Sequence, residues 1–262
     1  MFLTSPLLSS IHVPHAFTTR QGGVSAGIFA SLNFGNPGDL PPEQRDPPAN
    51  IAANFARVFT ALNCSARTLV EVHQVHGAAI HTVRPGTRPH NGPHDTKADA
   101  LICTDGARVI GVRIADCCPI LIASGDGRTV AAVHAGWRGA VAGILHSTIV
   151  QMVDHHAAAD LHIAIGPCIG AGAFEVGPEV LAAFRDRFGP RTPIVREAPS
   201  PGGKGFVDLQ LALVTDVHRA LGHAAKVDVL PHCTFSEPDL FFSHRRDRGM
   251  TGRMAALIGP RA

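Results

Sequence analysis

ADALICT (98–104), ARVIGVRIA (107–115), PILIAS (119–124) and TVAAVHA (129–135) decide the fold. Each is a short apolar run rich in branched side chains. Asp105-Gly106 and Gly125-Asp126-Gly127 separate them as turns, the pattern of neighbouring strands. Downstream, AVAGILHSTIVQMV (140–153) sets Val141, Ile144, Leu145, Thr148, Ile149 and Met152 on one helical stripe. LHIAIG (161–166) returns as a strand, helices follow over 178–188 and 208–221, and 226–230 is a last strand. Upstream, TLVEVHQVH (68–76) and AAIHTV (78–83) read as strands around Gly77. Asn50 stands where it can cap a helix carrying Ile51, Phe55, Val58, Phe59 and Leu62. PGDLPPEQRDPP (37–48) and TRPHNGPHDTK (87–97) read as loops. Strands grouped ahead of interspersed helices predict an α+β or α/β organisation, with a mixed sheet inside and helices outside.

The 262 residues, 45% of them apolar, suffice for a core that needs no disulfide or metal staple, and they exclude disorder and coiled coil. No repeat or low-complexity linker divides the chain, so residues 1–262 are read as one domain. With 23 basic and 21 acidic residues the net charge is only +2, which predicts neither a nucleic-acid nor an anionic-membrane partner. The six cysteines form no C-x-x-C pair, the N-terminus lacks a basic segment before an apolar stretch, and no membrane-length apolar run occurs. The expectation is a cytoplasmic protein with reduced thiols.

Three segments place reactive side chains at strand ends, where they can converge on a cleft. These are Gln74-Val75-His76-Gly77, Ala115-Asp116-Cys117-Cys118-Pro119 and Val133-His134-Ala135-Gly136-Trp137-Arg138-Gly139. His76, Cys117 and His134 together can form a Cys/His₂ metal site, whose three ligands leave the fourth zinc position open for catalysis. Among sixteen histidines, spacing alone does not single this triad out. His134 activating Cys117 directly is the metal-free alternative. Trp137 can pack a helix or stack on a substrate, and Arg138 beside it can hold phosphate. His73, by strand alternation, is expected on the face opposite His76. Arg246 is ranked ahead of Arg245 as an inward-facing cation, and Asp99, Asp105 and Glu175 are candidates for proton transfer.

TTRQGGVS (18–25), SLNFG (31–35), QVHG (74–77), ADC-x-P (115–119), HAGWRG (134–139), IGPCIG (165–170), FFSHRR (241–246) and TGR (251–253) occur in this order. Together they resemble the YfiH/YlmD family, known as multicopper polyphenol oxidase or laccase-domain proteins and as purine nucleoside phosphorylases. Cys118 and His244 depart from it, standing where relatives often carry an apolar residue and Tyr.

The resemblance implies a monomer with a mixed β-sandwich-like core flanked by helices, and Zn²⁺, or alternatively Cu²⁺, on His76, Cys117 and His134. Cys117 rather than Cys118 is the expected ligand because it follows Asp in the family pattern. The implied partners are purine nucleosides and inorganic phosphate. The implied activity is phosphorolysis of adenosine, inosine and methylthioadenosine, with adenosine deamination beside it. Cys117 and Arg138 are then the candidate catalytic residues, and Arg20, Asn33, Arg138 and Arg246 the candidate substrate contacts. Removal of misincorporated serine from a peptidoglycan precursor, and copper-dependent phenol oxidation, are the alternative activities. The latter is disfavoured by the absence of any H-x-H pair. A non-catalytic nucleoside-binding module is the remaining alternative.

Overall fold

The computed structural model describes residues 1–38, 40–86, 96–198 and 203–261. The strands are β1 (Phe2–Leu3), β2 (His15–Thr18), β3 (Thr68–Val70), β4 (Ile80–Val83), β5 (Ala100–Cys103), β6 (Arg108–Ile114), β7 (Cys118–Ala123) and β8 (Val130–Ala135). Then come β9 (His162–Ile165), β10 (Glu175–Val176), β11 (Val195–Glu197), β12 (Gly205–Val207), β13 (Lys226–Val229) and β14 (Met254–Ile258). The helices are α1 (Pro6–Ser9), α2 (Pro48–Ala61), α3 (Trp137–Ala142), α4 (Ile144–His156), α5 (Pro178–Phe188) and α6 (Leu209–Leu221). One sheet runs β13-β9-β7-β8-β5-β4 and a second β1-β2-β14-β6-β3, while β10-β12-β11 form a small ribbon.

Period-two alternation determines how the sheets stack. Ile102, Ile120, Ile122, Val133 and Ile163 face α3 to α6 in one core. Their neighbours Leu101, Leu121, Ala132 and Ala164 face Phe17, Ile110, Val112 and Ala256 of the second sheet. The far side of that second sheet is closed by Val58 and Phe59 of α2 with Leu32 and Phe34. The fold is thus four layers: helix, sheet, sheet and helices. Central strands buried on both faces explain why their sequences read as continuous apolar runs. Among the described residues no helix is long and apolar enough to cross a membrane.

Three local expectations are corrected. The segment 68–76 is a strand only over Thr68–Val70; beyond it His73 makes an isolated parallel bridge to Lys97, and the Asp99 carboxylate takes the amides of Val75 and His76. The 140–153 stretch is two helices, broken where Gly143 adopts φ +76° and where a Cβ would meet Arg187 Nη2 at 2.7 Å. Asn50 does not cap α2, which starts earlier at Pro48; instead Asn50 Nδ2 donates to Asp46 Oδ1 at 2.9 Å. The expected loop at 37–48 holds a short 3₁₀ turn at Pro42–Gln44. Of the other expected loop, 87–95 lies outside the described residues.

Candidate metal centre

Strand β6 belongs to one sheet and β7 to the facing one, so Ala115-Asp116-Cys117 is the crossing between them. Asp116 makes that crossing at φ +86°, a conformation uncommon for a residue with a side chain. Its carboxylate locks the turn. Oδ1 accepts from Thr234 Oγ1 at 2.6 Å, and Oδ2 accepts from Ser243 Oγ at 3.0 Å and the Arg245 amide at 2.6 Å. Alternation then sends Cys118 into the helix-side core, where its Sγ donates to the Gly166 carbonyl at 3.6 Å, and turns Cys117 the other way.

His134 pairs with Pro119 across β8 and β7, on the same sheet face as Cys117. Two residues on, a Cβ on Gly136 would meet both Cys117 Sγ and His76 Cδ2 at 3.0 Å. Glycine there lets the chain run past the cluster. His76 sits at φ +59° in a loop, and Asp99 holds that loop. The Asp99 carboxylate accepts from the amides of Val75 at 3.2 Å, His76 at 2.9 Å and Gly77 at 2.7 Å, and from His134 Nδ1 at 2.8 Å. Gln74 adds two bonds to the Arg113 backbone, each 2.8 Å. Asp99 is thus a positioning residue for two imidazoles rather than an open proton-transfer group. Asp105 pairs with Arg108, and Glu175 with Lys204 at the surface.

The ligand atoms of His76, Cys117 and His134 lie within 4.8 Å of one another. Burial opposes ionisation of Cys117, yet His134 and His76 overcome it and bring the thiol down to about 6. Burial likewise opposes charge on His134, but Cys117 and Asp99 raise it to about 9. A thiolate between two imidazoles is the donor set zinc takes, with bonds of about 2.0–2.3 Å. Because a carboxylate only accepts, Asp99 fixes the His134 proton on Nδ1 and leaves Nε2 to face the cluster. The residues present therefore fit a metal ion.

The cluster opens on a cavity of about 620 Å³ lined by Arg113, Arg138, Arg245 and Arg253 and by apolar Val72, Ile169, Phe174 and Leu209. Arg138 stacks on Trp137 at 4.5 Å, and both line the cavity. His73 lines it too, since the loop abolishes the strand alternation that would have turned it away. Three expected substrate contacts are elsewhere. Arg20 binds the carbonyls of Ala30 and Pro238 and stacks over Phe242. Asn33 is buried against Asp46 and Arg253. Arg246 is consumed by Asp247 and the carbonyls of Thr234, Phe235 and Phe241. Its neighbour Arg245 is the one at the cavity, because the Arg245 amide is tied to Asp116. Arg113 and Arg253 were missed. A lone cation in an apolar strand was the available signal for the first, and the TGR motif for the second.

The sequence and its four-layer fold both have known relatives. The family described as multi-copper polyphenol oxidoreductase laccase matches residues 14–261. A Deinococcus radiodurans protein named purine nucleoside phosphorylase is 38% identical, covering 97% of this chain and 92% of its own. The purine nucleoside phosphorylase YfiH of Escherichia coli is 34% identical, covering 92% and 91%. The crystal structure of YlmD from Geobacillus stearothermophilus superposes with a TM-score of 0.86 at 33% identity, covering 98% and 94%. The chain belongs to this YfiH/YlmD family.

Proposed function

We propose that the protein is a zinc-dependent purine nucleoside phosphorylase acting on adenosine, inosine and methylthioadenosine, with adenosine deaminase activity from the same site. The observation that carries this reading is the Cys/His₂ cluster on the wall of a cavity lined by four guanidinium groups. The names of the relatives supply the substrate class. His76, Cys117 and His134 hold the ion, which when bound supplies a Lewis acid toward an oxygen of the reactants. In phosphorolysis a phosphate oxygen bonds to ribose C1′, the C1′–N9 bond breaks, and the purine leaves with a proton on nitrogen. Arg138 orients the phosphate, while Trp137 and Phe174 offer apolar faces to the base. In deamination water adds at C6 and ammonia leaves.

The family description names multi-copper chemistry, but among the described residues only His76, Cys117 and His134 cluster as a potential metal site. That supports one ion rather than several. The test is a product assay on adenosine with and without phosphate, alongside metal analysis. Phosphate-dependent release of adenine and ribose 1-phosphate is expected. Release of serine from a nucleotide-linked muramic precursor, with no nucleoside turnover, would overturn the reading.

A further inference from the structure

Of the four guanidinium groups lining the cavity, one stands apart. Arg113 has a carboxylate beside it, with Nε 3.1 Å from Glu71 Oε1. Arg138 is exposed and lies on Trp137, while Arg245 is exposed and donates to the Glu175 carbonyl at 2.8 Å. Arg253 is partly buried, and among the described residues it forms no ion pair with a carboxylate. Its Nη1 donates to the carbonyls of Thr251 at 2.9 Å and Gly252 at 3.0 Å, which anchors the group and leaves Nε and Nη2 without an acceptor among the described residues. Asp116, the carboxylate on the same wall, is already engaged by Thr234, Ser243 and the Arg245 amide.

Gly35 lies beside both Arg253 and Arg113. A Cβ at Gly35 would meet Arg113 Nη1 at 3.0 Å and Arg253 Cγ at 3.6 Å, so the two arginines flank one backbone position. Two cations so close repel, and Glu71 offsets one of them. Arg253 has no salt bridge of its own among the described residues; the Cys117 and Asp116 charges act on it without a direct hydrogen bond. A partly buried cation with no carboxylate in direct contact is costly, and a bound anion lowers that cost. Charge at a recessed site also acts through a lower effective dielectric, so attraction there is about fourfold stronger than in open water at equal distance. Arg138 and Arg245, exposed at the surface, lose most of that advantage to screening.

We propose that Arg253, through its free Nε and Nη2 edge, is the principal binding group for a tetrahedral oxyanion, inorganic phosphate, on the cavity wall it shares with Arg113. Arg138 then orients the anion without anchoring it. The assignment rests on the phosphorolysis reading for its catalytic consequence, but phosphate binding itself is measurable without turnover.

The experiment titrates the zinc-loaded protein with inorganic phosphate alone by calorimetry, and then measures phosphorolysis against phosphate concentration. Arg253→Met is expected to weaken phosphate binding and raise its KM at least tenfold, with the fold and zinc content retained. Arg253→Lys keeps the charge without the fork and should lose at least threefold, less than the Met variant. Arg248→Met, the same charge change at an exposed position of the same loop, should bind phosphate as the parent does. Should Arg253→Met fail to fold, the Lys variant gives the answer. A folded Arg253 variant binding phosphate within twofold of the parent would overturn the proposal. So would a parent protein showing no saturable binding in the millimolar range. Phosphate binding that depends on Arg253, in a protein that turns over no nucleoside, would uphold this site while removing the proposed activity.

Discussion

Replacing Asp99 by Asn changes one atom and removes one charge from a group whose side chain is wholly buried. Its two oxygens divide four donors between them. Oδ1 serves the His76 amide and His134 Nδ1, and Oδ2 serves the Val75 and Gly77 amides. Whichever position the asparagine NH₂ takes, it faces two N–H groups; the backbone amides are left without an acceptor, while His134 can pair with it only by moving its proton from Nδ1 to Nε2. The Val75, His76 and Gly77 bonds are only part-buried, so water meets part of the loss, and a fall of about 1–3 kcal/mol in folding stability is expected. If the NH₂ replaces Oδ1, His134 also loses the acceptor that fixes its proton on Nδ1, and zinc affinity should fall about 10–100-fold. Urea unfolding of the chelator-treated protein reads the first effect, and competition with a chromophoric chelator reads the second. A D99N protein within about 0.5 kcal/mol of the parent and holding zinc within about twofold would refute the assignment of Asp99 as the clamp on both imidazole segments.

Gly136→Ala adds a Cβ 3.0 Å from both Cys117 Sγ and His76 Cδ2, so the donor triangle must spread. Weaker zinc binding with little change in the unfolding of the metal-free protein is expected, and undiminished zinc affinity would contradict the close-approach argument. His15 is buried as a neutral ring, accepting from the Ser5 amide at 2.8 Å and paired with the Val13 carbonyl at 2.8 Å. Burial, opposed by its hydrogen bonds to Val13 and Ser5, holds its pKa below the ordinary 6.5. An unfolded chain therefore takes up this proton first as pH falls. The contribution of His15 is complete above about pH 6.5 and is lost progressively below it, by at most about 1.4 kcal/mol per pH unit. NMR titration of the ring should give a midpoint under 6.5, and a midpoint above it would show the sign to be wrong.

The central strands were legible because burial on both faces leaves an unbroken apolar signature, as in PILIAS and TVAAVHA, and no tertiary contact competes with it. The loop carrying His76 was not. VEVHQVH alternates like a strand, but Asp99, more than twenty residues away, takes the amides a partner strand would have taken. Gly143 lay inside a good helical stripe and broke it, since its left-handed backbone and the nearby Arg187 both favour a residue without a side chain. Adjacent arginines carry no directional information in sequence, so Arg245 and Arg246 could be told apart only by the backbone bond from Arg245 to Asp116. Cys117 and Cys118 differ from that pair: they adjoin a regular strand, whose alternation gives each thiol a side.

Metal analysis of three purified proteins, the parent, Cys117→Ala and Cys118→Ala, tests the central claim most directly, because the two thiols are neighbours in sequence and opposed in space. About one zinc per chain is predicted for the parent and for Cys118→Ala, and far less for Cys117→Ala, with all three folded. Zinc retained by Cys117→Ala and lost by Cys118→Ala would contradict the account.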